Sequence, residues 1–175
     1  MYRERMEKLK EWKVSKNRKP LIIRGARQVG KTWLMKEFGK LYYEKFAYIN
    51  FDNNSRMDIL FNEEFDLDRI IQGLKIESGI NIEPENTLII FDEIQETPNA
   101  LKALKYFYEN ANEYHIVAAG SLLGVAIHQG TSFPVGKVNF MDLMPLSFFE
   151  FLDALGQEHL LNLLKNNEFD MISVF

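Results

Sequence analysis

With 175 residues, 46% of them hydrophobic, the chain can bury one substantial core, and a single domain is the default. Its net charge of −4 points to neither nucleic acid nor an anionic membrane as a partner of the whole chain. The lack of cysteine excludes a disulfide framework and thiolate metal sites, and the 3 scattered histidines make no zinc site.

The first 13 residues are charged throughout, unlike a secretory signal, and place Tyr2, Met6, Leu9 and Trp12 on one face of a short amphipathic helix. A basic linker follows to Lys19. The first 19 residues hold 8 Lys and Arg against 3 acids, which reads either as a solvated helix back or as a nucleic-acid contact. Pro20 opens an apolar strand, Leu21 to Arg24.

The next residues, Gly25 to Thr32, read GARQVGKT and fit G-x-x-x-x-G-K-[ST], a phosphate-binding loop. Trp33, Leu34, Met35, Phe38 and Leu41 then recur at helical spacing to about Tyr43. Strand, glycine loop and helix are the context the motif requires. Gly25 and Gly30 let backbone approach phosphate oxygens, and the N–H groups of Ala26, Arg27, Gln28 and Val29 turn inward toward them. The helix adds its positive end. Lys31 is expected to reach the β- and γ-phosphates of ATP, and the Thr32 hydroxyl to ligate Mg2+. Trp33 either flanks the base or ribose or packs beneath the sheet. Arg27 either touches phosphate, reaches a neighbouring subunit or is solvated. Arg24 is expected to pair with Asp92 or Glu93 when no nucleotide is present.

Phe46 to Phe51 is a second strand, and residues 52 to 75 read as one or two helices. The acids Glu63, Glu64, Asp66 and Asp68 lack the spacing of a calcium loop and read as surface. Thr87 to Ile94 reads TLIIFDEI, an apolar strand that ends in two carboxylates, the Walker B pattern. Asp92 is expected at the carboxyl edge of a sheet, holding magnesium through water. Glu93 is expected to polarise the attacking water, which favours hydrolysis over transfer to another acceptor. Gln95 is close enough in sequence to help place that water.

Thr97-Pro98 supplies an N-cap and a first-turn proline for a helix carrying Leu101, Leu104, Phe107 and Tyr108. His115 to Ala119 is a fourth strand and Val138 to Leu143 a fifth. Ser147 with Glu150 is a capping box, and Gly156 suits the end of that helix. A last helix carries Leu160, Leu161, Leu163 and Leu164. The alternation predicts an α/β fold, a P-loop NTPase three-layer sandwich with a mainly parallel sheet of about five strands. The order of strands resembles that branch of loop-type nucleotide hydrolases in which the strand after the Asp-Glu strand lies between the two motif strands, and that placement is what the resemblance implies. Ile116 to Ile127 is too short to span a bilayer, and a cytoplasmic location with no membrane partner is the expectation.

Several stretches resemble one family: RGARQVGKT (Arg24 to Thr32), YINFD (Tyr48 to Asp52), LIIFDEIQ (Leu88 to Gln95), AAGSLLGVAI (Ala118 to Ile127), SFPVGKV (Ser132 to Val138) and PLSFFEFL (Pro145 to Leu152). The chain is similar, over roughly residues 1 to 155, to bacterial and archaeal AAA-type P-loop ATPases that usually carry a C-terminal nuclease-like domain of unknown function. The resemblance implies an ATP-binding, magnesium-dependent ATPase core. It implies the roles above for Lys31, Thr32, Asp92 and Glu93, and a polar sensor at the end of the fourth strand, here Ser121. A hydroxyl there would bond the γ-phosphate or the attacking water; the other reading is a helix cap.

The family commonly has arginine where this chain has Lys137, which either touches nucleotide without arginine's bidentate fork or is a solvated loop lysine. The chain ends in the apolar run Met171 to Phe175, which leads us to expect a fragment that lacks the C-terminal domain. The expected division is residues 1–19 as N-terminal helix and linker, 20–155 as ATPase core, and 156–175 as the start of a lid or extension. Hydrolysis that drives conformational change is one functional reading; a slow nucleotide-gated switch with the missing domain as effector is the other. This ATPase class often assembles so that one subunit completes its neighbour's site, so a homo-oligomer is expected as an option.

Overall fold

The computed structural model describes residues 3–62, 65–120, 134 and 136–166. Five strands form one all-parallel sheet: β1 (Leu21–Arg24), β2 (Lys45–Asn50), β3 (Thr87–Asp92), β4 (His115–Ala119) and β5 (Asn139–Asp142), in the order β2-β3-β4-β1-β5. Parallel neighbours require crossovers, and helices supply them. They are α1 (Arg5–Val14), α2 (Lys31–Tyr42), α3 (Ser55–Asn62), α4 (Leu67–Ser78), α5 (Pro98–Asn110), α6 (Phe148–Ala154) and α7 (Glu158–Lys165).

The strands are apolar on both sides because both sides are covered. Every residue of β3 and β4 is buried. Their alternation sorts side chains between two cores. Leu21, Ile23, Leu88, Ile90, Val117 and Ala119 meet α1 and α2 through Met6, Leu9, Trp12, Leu34 and Phe38. Ile22, Ile89, Phe91, Ile116 and Ala118 meet α3, α4 and α5 through Phe61, Ile70, Leu74, Leu104 and Phe107. The β4 strand lies between β1 and β3, as the resemblance implies, and this sets the two motif-bearing strand ends one strand apart.

Local signals are answered in detail at several ends. Ser147 accepts from the Glu150 backbone N–H at 3.2 Å, and Glu150 accepts from the Ser147 N–H at 2.8 Å, the capping box of α6. Gln157 N–H to Leu152 O and Gly156 N–H to Asp153 O close that helix in a Schellman pattern. Thr97 stands at the N-cap of α5 but does not cap it with its side chain; the buried hydroxyl donates to Asp58 Oδ1 at 2.6 Å and ties α5 to α3. Asp66 caps α4 by accepting from the Arg69 N–H.

Three cations of the basic linker are tied to carbonyls, while residues 14–17 are exposed. Lys13 donates to the Tyr42 carbonyl, Arg18 to the Asn112 carbonyl, and Lys19 to the Gly136 carbonyl at 2.6 Å. These cations satisfy helix-end and loop carbonyls of their own chain. Lys137 sits at the amino end of β5 and pairs with Glu109 at 2.8 Å. The loop Gly25 to Gly30 leaves the carboxyl end of β1, so Lys137 lies at the opposite edge of the sheet from it. Of the two readings of Lys137, this position favours the loop lysine, here half-exposed and paired with Glu109.

His115 opens β4 in an aromatic pocket, with Trp12 and Tyr43 edge-on and the Tyr43 hydroxyl 2.7 Å from Nδ1. Burial, reinforced by the charges of Arg18 and Lys13, lowers its pKa from 6.5 to about 4. The unfolded chain therefore binds the proton first as pH falls, so stability is full above about 6.5 and is lost progressively toward 4. Urea unfolding at pH 7 and pH 5 should show a loss of about 1–2 kcal/mol at the lower pH, and His115→Gln should flatten that part of the profile.

Candidate nucleotide-binding site

The loop is shaped by what surrounds it. A Cβ on Gly25 would lie 2.3 Å from the carbonyl oxygen of Leu143, just past β5, so no side chain fits where β1 becomes the loop. Gly30, the N-cap of α2, has φ of 93°, a left-handed conformation that glycine adopts without strain. Gln28 is also left-handed, with φ of 66°. Close approach to phosphate was the sequence-level reason for both glycines; the fold adds a neighbouring carbonyl for one and a backbone angle for the other.

Lys31, the first residue of α2, is only 7% exposed and folds back over the loop. Its ammonium donates to the carbonyls of Gly25 at 2.9 Å and Ala26 at 2.8 Å. An ammonium has three donors, so the third remains for a loop-bound anion. Burial lowers the lysine pKa, and the charges of Glu93 and Asp92 oppose that shift. Ala26, Arg27 and Gln28 are exposed, while Val29 packs into the core.

Thr32, one residue on, donates to Asp92 Oδ2 at 2.6 Å across 60 positions of sequence. Asp92 ends β3 and is 4% exposed. The two motifs thus meet directly, through oxygen donors of the kind that suit magnesium. Asp92 Oδ1 also accepts from the Glu93 N–H at 3.2 Å. Glu93 itself is left-handed, with φ of 52° and ψ of 41°, and starts a short 3-10 turn, Ile94–Glu96. A non-glycine residue held there stores strain of the kind found at working sites. The turn brings Gln95 back, and its Nε2 donates to Glu93 Oε2 at 2.7 Å, while its buried Oε1 has no hydrogen-bond partner among the described residues.

Two sequence expectations are corrected near the loop. Arg24 does not pair with Asp92 or Glu93; it forms a fork with Asp142 on β5, at 2.9 and 3.0 Å, and lies over the Phe140 ring. Neighbouring parallel strands put the ends of β1 and β5 side by side, whereas Asp92 is two strands away. Trp33 does not pack beneath the sheet. It is 37% exposed, because α2 turns that position toward the loop. It lines a cavity of about 490 Å³ with Arg3, Arg27, Gln28, Gly30, Pro145 and others beside the phosphate loop.

Arg3, Pro145 and Tyr48 were not assigned to the site from sequence. Arg3 is 4% exposed, donates to the Met144 carbonyl at 2.8 Å and lies 3.4 Å from Glu150, whose carboxylate also accepts from the Glu4 N–H. This clasp holds the N-terminus against the start of α6, and no short-range pattern encodes a contact across 141 positions. Ser121 lies outside the described residues.

The sequence profile described as "AAA domain" matches residues 17–152. No curated protein matches the chain. The fold is similar to a Walker-type ATPase of Pyrococcus abyssi (TM-score 0.57, 18% identity, covering 89% of this chain and 57% of that one). It is also similar to a chain of Drosophila ORC bound to DNA (TM-score 0.58, 17% identity, 87% and 45% covered). A third likeness is Aeropyrum pernix ORC1 in complex with DNA (TM-score 0.52, 15% identity, 90% and 50% covered). The chain therefore spans about half the length of these solved proteins, and at such identity the likeness is one of fold.

Gly25→Ala should cost about 1–3 kcal/mol in denaturant unfolding, because the new methyl group meets a backbone carbonyl that cannot rotate away. An Ala at Gly25 that unfolds at the wild-type midpoint would mean the loop and the Leu143 carbonyl separate freely.

Proposed function

The chain belongs to the AAA domain family, and on that premise we propose that it binds ATP with magnesium and hydrolyses it to drive conformational change in a larger protein. Family and fold make it an ATPase-type nucleotide-binding module. The observation that carries the finer reading is the 2.6 Å bond from Thr32 to Asp92, which joins the two motifs at one point beside a buried lysine. Residues 20–155 are the proposed core, with residues 1–19 before it and 156–175 after it.

In this reading Lys31 and the inward N–H groups of Gly25 to Thr32 bind the phosphates. Thr32 and Asp92 would hold magnesium, which supplies charge stabilisation on the transferred phosphoryl group. A magnesium ion typically takes one or two protein groups and completes its shell with water and phosphate, and this donor set fits that habit. Glu93, next to the metal ligand, orients the water. Trp33 and the cavity it lines flank the base or ribose. Ser121 keeps the sensor role that the family resemblance implies.

Two arginines near the loop are already engaged: Arg24 with Asp142, and Arg3 with Met144 and Glu150. Arg27 is exposed and lines the cavity with Trp33. With Arg24 and Arg3 engaged, turnover by this chain alone should be slow, about 10⁻⁴ to 10⁻² s⁻¹, and a second copy or another partner would raise it.

A second reading, a slow nucleotide-gated switch, is favoured by one observation. Gln95 donates to one oxygen of the Glu93 carboxylate at 2.7 Å, a bond that fixes where the carboxylate points and that nucleotide-linked movement of the turn would have to break to re-aim it. Stimulated turnover on addition of a partner supports the motor reading; turnover that stays slow while nucleotide changes the partner's affinity supports the switch.

Calorimetry with ATP, with and without magnesium, tests the site. Lys31→Ala should abolish binding. Glu93→Gln should bind ATP as tightly as wild type and lose hydrolysis by about 10²-fold or more. Equal turnover in Glu93→Gln would remove Glu93 from catalysis, and unaltered affinity in Lys31→Ala would move the phosphate site elsewhere.

A further inference from the structure

Asp92 accepts a second hydroxyl besides Thr32. The phenol of Tyr48 donates to the same oxygen, Oδ2, at 3.0 Å. Tyr48 lies on β2 and pairs in register with Ile90 of β3, two residues before Asp92, so its side chain runs along the α2 face of the sheet toward the strand end. The Lys36 ammonium sits 3.5 Å from the centre of the Tyr48 ring. Lys36 is four residues after Thr32 on α2, and positions i and i+4 share a helix face. One face of α2 therefore grips Asp92 twice: directly through Thr32, and through Tyr48 under Lys36.

We propose that Tyr48 is a positioning residue for the metal site, fixing the Asp92 carboxylate so that it presents a set geometry to a divalent cation and its water shell. The inference rests on the ATP·Mg reading above. Besides the two hydroxyls on Oδ2, the carboxylate accepts the longer 3.2 Å bond from the Glu93 N–H on Oδ1, which belongs to a turn and not to the sheet. A second donor on Oδ2, from a rigid ring anchored in a strand, resists rotation of the carboxylate about its Cβ–Cγ bond. Outer partners of this kind orient the groups that face the metal and typically change its affinity by 10- to 100-fold when removed. The Lys36 cation over the ring face holds the ring in place.

The test is Tyr48→Phe, which keeps the ring, the Lys36 contact and the strand register and removes one oxygen. Magnesium titrations of ATP hydrolysis and of ATP binding would be run beside magnesium-free ATP calorimetry and a thermal melt. The expected result is a magnesium half-saturation raised about tenfold, with magnesium-free ATP affinity and melting midpoint unchanged, and with turnover recovering at saturating metal. A merely structural role would lower the melting midpoint and leave the metal requirement alone. A half-saturation within about twofold of wild type overturns the inference while leaving the ATP site standing. Wild-type protein that binds ATP with no dependence on magnesium takes away the metal site itself and overturns both readings at once.

Discussion

The contact between Thr32 and Asp92 is where the fold and the site become the same thing. It requires that α2 begin at the carboxyl end of β1, that β3 end level with it, and that only β4 stand between. All three follow from a parallel sheet buried on both faces. Because β3 and β4 have no exposed residue, they cannot slide or edge outward without breaking two cores, and their carboxyl ends stay where a hydroxyl and a carboxylate meet.

The polar groups at this edge are arranged as a chain of commitments. Lys31 is spent in part on two carbonyls of its own loop, Asp92 on two hydroxyls and a backbone N–H, and Glu93 on Gln95. Buried polar groups that are paired in this way are rigid and low in cost, and a ligand must exchange with them rather than fill an empty space. The strained backbone of Glu93 belongs to the same economy of position: a left-handed residue directly after the strand aims Asp92 and Glu93 in different directions. One carboxylate is thereby tied into the sheet edge and the next is given to a turn.

The rim of the site is built from parts far apart in the chain. Arg3 and Glu150 clasp the N-terminus to α6, Arg24 and Asp142 tie β1 to the edge strand, and the Leu143 carbonyl limits Gly25. The Arg24 pair is half exposed and contributes little stability; the parallel ladder with β1 holds β5 in register. Arg3 is buried, and its partner also caps a helix, so both the terminus and α6 depend on one carboxylate. Trp33 and Pro145 then face a common cavity that neither element would form alone.

The sequence by itself determined whatever is written in local spacing. It determined the glycine loop between strand and helix, the Asp-Glu pair at the end of an apolar run, the capping box at Ser147 and Glu150, and the five strands. These are legible because hydrogen-bonded helices and two-sided strands impose periods of 3.6 and 2 on neighbouring residues. The tertiary structure alone decided the pairwise matters: that Arg24 takes Asp142 and not Asp92, that Trp33 faces a cavity and not the core, that the Thr97 hydroxyl goes to Asp58, that Lys137 lies at the far edge, and that Tyr48 reaches the Asp92 carboxylate. Each of these depends on strand order and on the rotation of a helix about its axis, which are settled by packing both faces of the sheet at once, and no window of adjacent residues contains that information.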